Sequence, residues 1–198
     1  MKITRLAGFR TYGFIAAALI CAFALSARAG DDKAEDKAKE QAEVRKLVQQ
    51  TLERLYKAQP AAQSAVAHGA GYAVFSNTGV KILFAGSGKG KGIAVDNQTK
   101  KEVFMKMLEV QAGLGFGVKK FSVIFVFDND KALNSFINSG WEFGGQASAA
   151  AKTGDKGGSM EGAASVSDGV WMYQMTDKGL ALELTGKGTK YYKDDDLN

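Results

Sequence analysis

The sequence predicts an α+β fold: an antiparallel, barrel-like β meander with an N-terminal amphipathic helix and one inserted helix. Three observations predict it. Apolar residues recur at helical spacing between Val44 and Tyr56; short apolar runs separated by turn residues take over from Gly71; and one capped segment with a single apolar face interrupts them after Asp128.

The helix comes first. Val44, Leu47, Val48, Thr51, Leu52, Leu55 and Tyr56 stand at i, i+3, i+4, i+7, i+8, i+11 and i+12, one stripe of a helix whose other face carries Arg45, Lys46, Glu53, Arg54 and Lys57. Pro60 ends it or starts a new one, and the Ala-rich stretch Ala61 to Ala67 adds a short helical piece before Gly69. Such a stripe can pack on the domain behind it or lie in a membrane interface, and the pattern leaves both open.

From Gly71 the texture is that of strands. Gly71 to Phe75, Ile82 to Ala85, Ile93 to Val95, Val103 to Val110 and Ser122 to Phe127 are the first five, with turns expected at Asn77-Thr78-Gly79 and Asp96-Asn97-Gln98. Val123 to Phe127 lacks alternation, as expected for a strand buried on both faces. Asp128-Asn129-Asp130 then offers a cap, Leu133, Phe136 and Ile137 an apolar face, and Gly140 a stop: the inserted helix. Strands resume at Trp141 to Ala151, Met160 to Ser167, Val170 to Met175, Leu180 to Thr185 and Thr189 to Tyr192. Their connections are Lys152 to Ser159, Asp168-Gly169, Asp177-Lys178-Gly179 and Gly186-Lys187-Gly188, and the Asp-Gly pair is a strong hairpin signal. Asp194-Asp195-Asp196 reads as a solvated acidic tail.

Glycines at period two, Gly86 to Gly92 and Gly113 to Gly117, clear one face of a strand so that another group can approach or the sheet can bend. A phosphate loop needs a following helix and a different spacing, and neither segment has them.

Before the helix lies a three-part leader. Lys2, Arg5 and Arg10 precede the uncharged run Gly13 to Leu25, and Ser26-Ala27-Arg28-Ala29-Gly30 is a small-x-small cleavage pattern. Thirteen apolar residues span about 20 Å as a helix against roughly 30 Å of hydrocarbon, so residues 1–29 are expected to be a signal peptide. Ile20 before Cys21 disfavours lipidation. The organisation expected is a signal peptide at 1–29, a charged segment and amphipathic helix at 30–68, a β-rich domain at 69–193 and a tail at 194–198. A periplasmic or secreted location after cleavage is expected, with association at a membrane.

Charge and composition exclude several functions. The leader holds four of the 26 basic residues and none of the 21 acidic ones, so the remainder is close to neutral and nucleic acid is not an expected partner. His68 is the only histidine and Cys21 the only cysteine, which leaves nucleophilic triads and His/Cys metal clusters without their residues. Asp128 and Asp130 look like a cap rather than a carboxylate pair for acid–base chemistry. No cofactor is called for, and a non-enzyme is expected.

Several segments in order resemble one family. Gly71-Tyr72-Ala73-Val74-Phe75-Ser76-Asn77-Thr78-Gly79 with Lys81, the glycine-alternating stretches Gly86 to Gly92 and Gln111 to Gly117, Val126 to Phe136, Lys178 to Gly186, and Tyr191-Tyr192 are similar to the SYLF domain family. The chain departs from that pattern at Ser76, where proline commonly stands, and at Ala181-Leu182. The resemblance implies binding of lipid or of a membrane surface. Some eukaryotic members are associated with actin, which an exported chain does not meet.

The residues expected to carry such binding are Arg45, Lys46, Leu47, Arg54, Leu55 and Lys57 on the helix, with Lys81, Lys89, Lys91, Lys119 and Lys120 near the glycine strands. Anionic phospholipid is the expected partner, since each basic group near an anionic bilayer contributes about 1 kcal/mol. The alternative is an envelope protein bound through the helix or a strand edge, with no lipid involved.

Overall fold

The computed structural model describes residues 13–82, 85–112, 117–143, 152–153, 160–180 and 187–198. The chain forms two units, Met1–Glu40 and Gln41–Asn198. Helix α1, Gly13–Ala58, takes in the apolar run, the charged segment and the amphipathic stretch. Among the described residues no helix is long and apolar enough to cross a membrane.

In the larger unit, Pro60 sits as the N-cap of α2, Ala61–His68, its fixed φ suiting a helix start. The strands are β1 Gly71–Ile82, β2 Ala85–Asp96, β3 Glu102–Ala112, β4 Gly117–Phe127, β5 Trp141–Phe143, β6 Lys152–Thr153, β7 Ala164–Ser167, β8 Val170–Thr176, β9 Gly179–Leu180 and β10 Lys187–Lys193, with α3, Asp130–Ser139, between β4 and β5. All pairings are antiparallel, and the sheet curls into a half-barrel, in keeping with the α+β expectation.

The strand order is β5-β10-β3-β2-β1-β4-β8-β7-β6, with β9 beside β8. It departs from a sequential meander in that β4 returns to the outer side of β1 to give the Greek-key order 4-1-2-3, and β10 closes on β3 instead of β9.

Several boundaries are corrected. Asn77, Thr78 and Gly79 continue β1 instead of turning, because each pairs with β2 on one side and β4 on the other. Ile82 and Ala85 end one strand and begin the next. Met160 to Gly162 form a turn before β7, and Lys187 and Gly188 pair with β3 as part of β10. Of the expected strands at Trp141 to Ala151 and Leu180 to Thr185, residues 144–151 and 181–185 lie outside the described residues, as does most of the 152–159 connection.

Other features follow the sequence closely. The Asn129 side chain accepts from Ala132 N at 2.9 Å to cap α3, and Gly140 ends the helix at φ 68°. Gly169 turns the β7–β8 hairpin at φ 68°. Gly92 shows why the period-two glycines matter: a Cβ there would collide with the Val74 carbonyl and the Phe75 ring.

Two cores flank the sheet. On one face Phe75, Phe125, Phe127, Phe136 and Tyr191 pack with Trp141 beneath α3, Phe125 meeting Tyr191 edge-to-face at 5.1 Å. On the other face α1 and α2 lay Val44, Val48, Leu55, Ala62, Ala65 and Val66 over Val74, Ile93, Phe104, Ile124 and Tyr173. The amphipathic stripe is therefore core: Leu55 is 0% exposed, and burying a Leu or Val side chain contributes about 2 kcal/mol.

The end of the chain is another correction. Asp194 is 1% exposed, Leu197 is buried, and Asn198 bonds both backbone groups of Phe104, donating to its oxygen at 2.8 Å and accepting from its nitrogen at 3.0 Å. Gln41 donates to Leu197 O at 2.7 Å. An acidic run reads as solvated only while no basic partner is in view, and here β3 supplies Lys106.

Candidate binding surface

The sheet face that meets α1 changes chemistry over one pleat. Register places Tyr173, Ile124, Val74, Ile93 and Phe104 in one cross-strand row, all buried under the helices. Two residues further along each strand the row reads Met175, Ser122, Ser76, Lys91, Lys106 and Tyr192. Its β8 end is covered, while Lys91 is exposed and Tyr192 is 37% exposed. The next row brings Lys89 opposite Leu108.

Where α1 stops covering this face, a cleft of about 550 Å³ opens between Leu47 of the helix and the sheet, bordered by Lys89, Lys91, Lys106, Leu108 and Tyr192. Three cations thus stand beside apolar side chains. Lys91 and Lys106 are direct cross-strand partners, an arrangement that repels. Asp194 and Asp196 offset it: Lys106 Nζ lies 2.7 Å from Asp194 Oδ1 and 2.8 Å from Asp196 Oδ2. Hydrogen bonding to Asp194, and next to Asp196, holds the Lys106 ammonium above the ordinary lysine range.

The residues expected to bind are distributed unevenly. Leu47, Lys89 and Lys91 meet in the cleft. Leu55 is in the core and is not available to a ligand, a correction that follows from α1 packing its apolar stripe on the sheet. Arg45 Nε pairs with Glu102 at 2.7 Å while its guanidinium lies over the Phe104 ring, and Arg54 donates to Thr176 O at 3.0 Å, so both pin α1 to the sheet. Lys46 and Lys57 are exposed.

Lys120 stands in register with Thr78, the partner of Lys89, whereas Lys81 and Lys119 stand in register with Gly86 and Gly79, positions of the other parity. The side chains of these three lysines lie outside the described residues. Sequence reasoning missed Lys106 and Tyr192. The signal was present: Lys106 is the one charge inside the run Val103 to Leu108, at the same parity as Phe104 and Leu108.

Other candidate chemistry is accounted for structurally. His68 is exposed, with Nδ1 2.9 Å from Ser64 O one turn back. The Asp128 carboxylate accepts from Trp171 Nε1 at 2.9 Å, and Asp130 opens α3. Among the described residues no three His, Cys, Asp or Glu side chains gather to hold a metal. A second cleft, about 640 Å³, is lined by Val103, Phe104, Ile137 and Leu197 and by polar groups that largely bond within the protein: Glu102 with Arg45, Lys193 with Asn138, and Asn198 with Phe104.

Comparison with known proteins agrees with the motifs that the strands carry. Residues 108–198, from β3 through β10 and the docked end, match the family model Ysc84, described as Las17-binding protein actin regulator. Over residues 108–198 the chain is thus similar to the Ysc84, or SYLF, domain. The SYLF match takes in Leu108 and Tyr192 of the cleft and the Asp194 and Asp196 that hold Lys106. It is a family of binding domains. Beta cell expansion factor A of Aeromonas veronii is 32% identical over 148 residues, which cover 74% of this chain and 54% of that protein. The chain spans about half the length of this curated relative.

Proposed function

We propose that this protein is an exported module that attaches to anionic membrane surfaces through the basic face of its SYLF sheet. The observation that carries the proposal is the cleft in which Lys89, Lys91 and Lys106 stand beside Leu47, Leu108 and Tyr192. Cations meet the phosphates, and the apolar side chains meet the boundary between headgroup and acyl chain. Export is supported by the leader pattern, and it makes bacterial anionic phospholipid, not actin, the partner within reach. Binding without catalysis fits the structural contacts of Asp128, Asp130 and His68.

The test is co-sedimentation of the full chain with phosphatidylglycerol-containing and pure phosphatidylcholine vesicles, at low and high salt. Salt-sensitive binding to the anionic set alone is expected. Equal binding to both sets, or binding that Lys89→Gln with Lys91→Gln leaves unchanged, would overturn the assignment. The Lys89→Gln, Lys91→Gln variant keeps the basic leader intact, so its difference from the unmodified chain reads the cleft alone. Signal-peptide removal is read independently, from the mass of the protein recovered from a periplasmic extract.

A further inference from the structure

Two carboxylates of the acidic run Asp194-Asp195-Asp196 sit on a lysine of the cleft. They differ in kind. Asp194 is 1% exposed and its backbone nitrogen donates to Phe104 O, so it is a fixed part of the fold. Asp196 is 85% exposed and reaches Lys106 from the solvent side. Lys106 itself is 33% exposed and faces Lys91 across the strand pair.

We infer that Asp196 is a built-in competitor for the acidic group the cleft takes, a latch that covers the solvent side of Lys106, beside Lys91, until an anionic headgroup displaces it. The inference rests on the proposed membrane function. The physical case is that two lysines directly opposite each other repel and require a counter-charge, which Asp194 supplies permanently and Asp196 supplies exchangeably. An exposed ion pair contributes little to stability, so its carboxylate is displaced at low cost by a phosphate that can also reach Lys89 and Lys91. The latch thereby raises the threshold of surface charge at which the protein docks.

The experiment compares Asp196→Asn with Asp195→Asn in the full chain, on phosphatidylglycerol vesicles in phosphatidylcholine across a salt series. Both variants remove one negative charge from exposed neighbouring positions, and only Asp196 touches Lys106. Asp196→Asn is expected to bind about fivefold more tightly than the unmodified chain, the factor for uncovering one unit charge at an anionic surface, with Asp195→Asn near the unmodified chain. No gain in Asp196→Asn over the unmodified chain would overturn the latch while leaving the membrane function standing. Equal gains in the two variants would overturn it, since bulk charge would then explain both, while leaving the membrane function standing. Failure of all three proteins to bind anionic vesicles at low salt would overturn the membrane function and the latch together. Matching thermal melts confirm that the variants remain folded.

Discussion

On the face that meets α1, the row Tyr173, Ile124, Val74, Ile93 and Phe104 is closed to solvent, whereas the row one pleat further runs from a buried Met175 to exposed Lys91 and Tyr192. Backbone geometry is the same in both. What differs is the cover: α1 crosses the first row with Val44, Val48 and Leu55 and reaches the second with Leu47. A sheet face acquires a binding surface beside its covering helix, and residues there can carry charge because the helix does not bury them.

The comparison can be broken most severely from the closed side. Leu55→Asp is expected to cost about 3–5 kcal/mol in urea unfolding, as a carboxylate placed in a filled core with no partner. A loss below about 1 kcal/mol would mean that the stripe of α1 is not core. The sequence had left that stripe undecided between core and membrane element, because periodicity defines a face and does not say what it faces. Alkali attacks the same row. Burial pushes Tyr173 and Tyr56 up to about 12 from an ordinary 10, so both favour the folded state while protonated. The stability they contribute is present below pH 10 and is lost as pH rises from there through about 12. The melting temperature should fall across that window in step with tyrosinate absorbance, and phenols that titrate near 10 without loss of structure would contradict the burial.

The open side is sharpened by charge removal. Lys89→Gln with Lys91→Gln is expected to weaken binding to anionic vesicles about 30-fold at low salt, two charges at about 1 kcal/mol each, and to leave the melting temperature within a degree or so. Unchanged binding would move the contact elsewhere. The smallest effect belongs to the junction, where Leu47→Ala should cost about 1 kcal/mol of stability, less than a full core truncation because the side chain is only half-buried, and should weaken vesicle binding as well. If stability falls and binding does not, Leu47 belongs to the closed row alone.

Much of the fold was legible. The helix at Val44 to Tyr56, the capped helix after Asp128 and the Asp168-Gly169 hairpin each rest on local chemistry, and the structure reproduces them. Asn77-Thr78-Gly79 misled because turn-forming residues were judged without their neighbours, and strands on both sides pair with them. Of the site, the exposed lysines of β2 were visible as a charged, glycine-spaced strand. Lys106 was visible only as a lone charge in an apolar run, because its place in the cleft depends on β3 lying beside β2 in one particular register.

From residues alone, then, came the class, most elements, the family resemblance and the conclusion that the apolar stripe of α1 had to meet something apolar. These follow from periodicity, caps and turn residues, which act over a few neighbours in the chain. The tertiary structure decided that the stripe meets the sheet, that Leu55 is lost to any ligand, and that an acidic run nearly 90 residues downstream of Lys106 turns back to bind it. Those outcomes depend on which strands become neighbours, and burial and ion pairing are set by what packs across space, which no local pattern records.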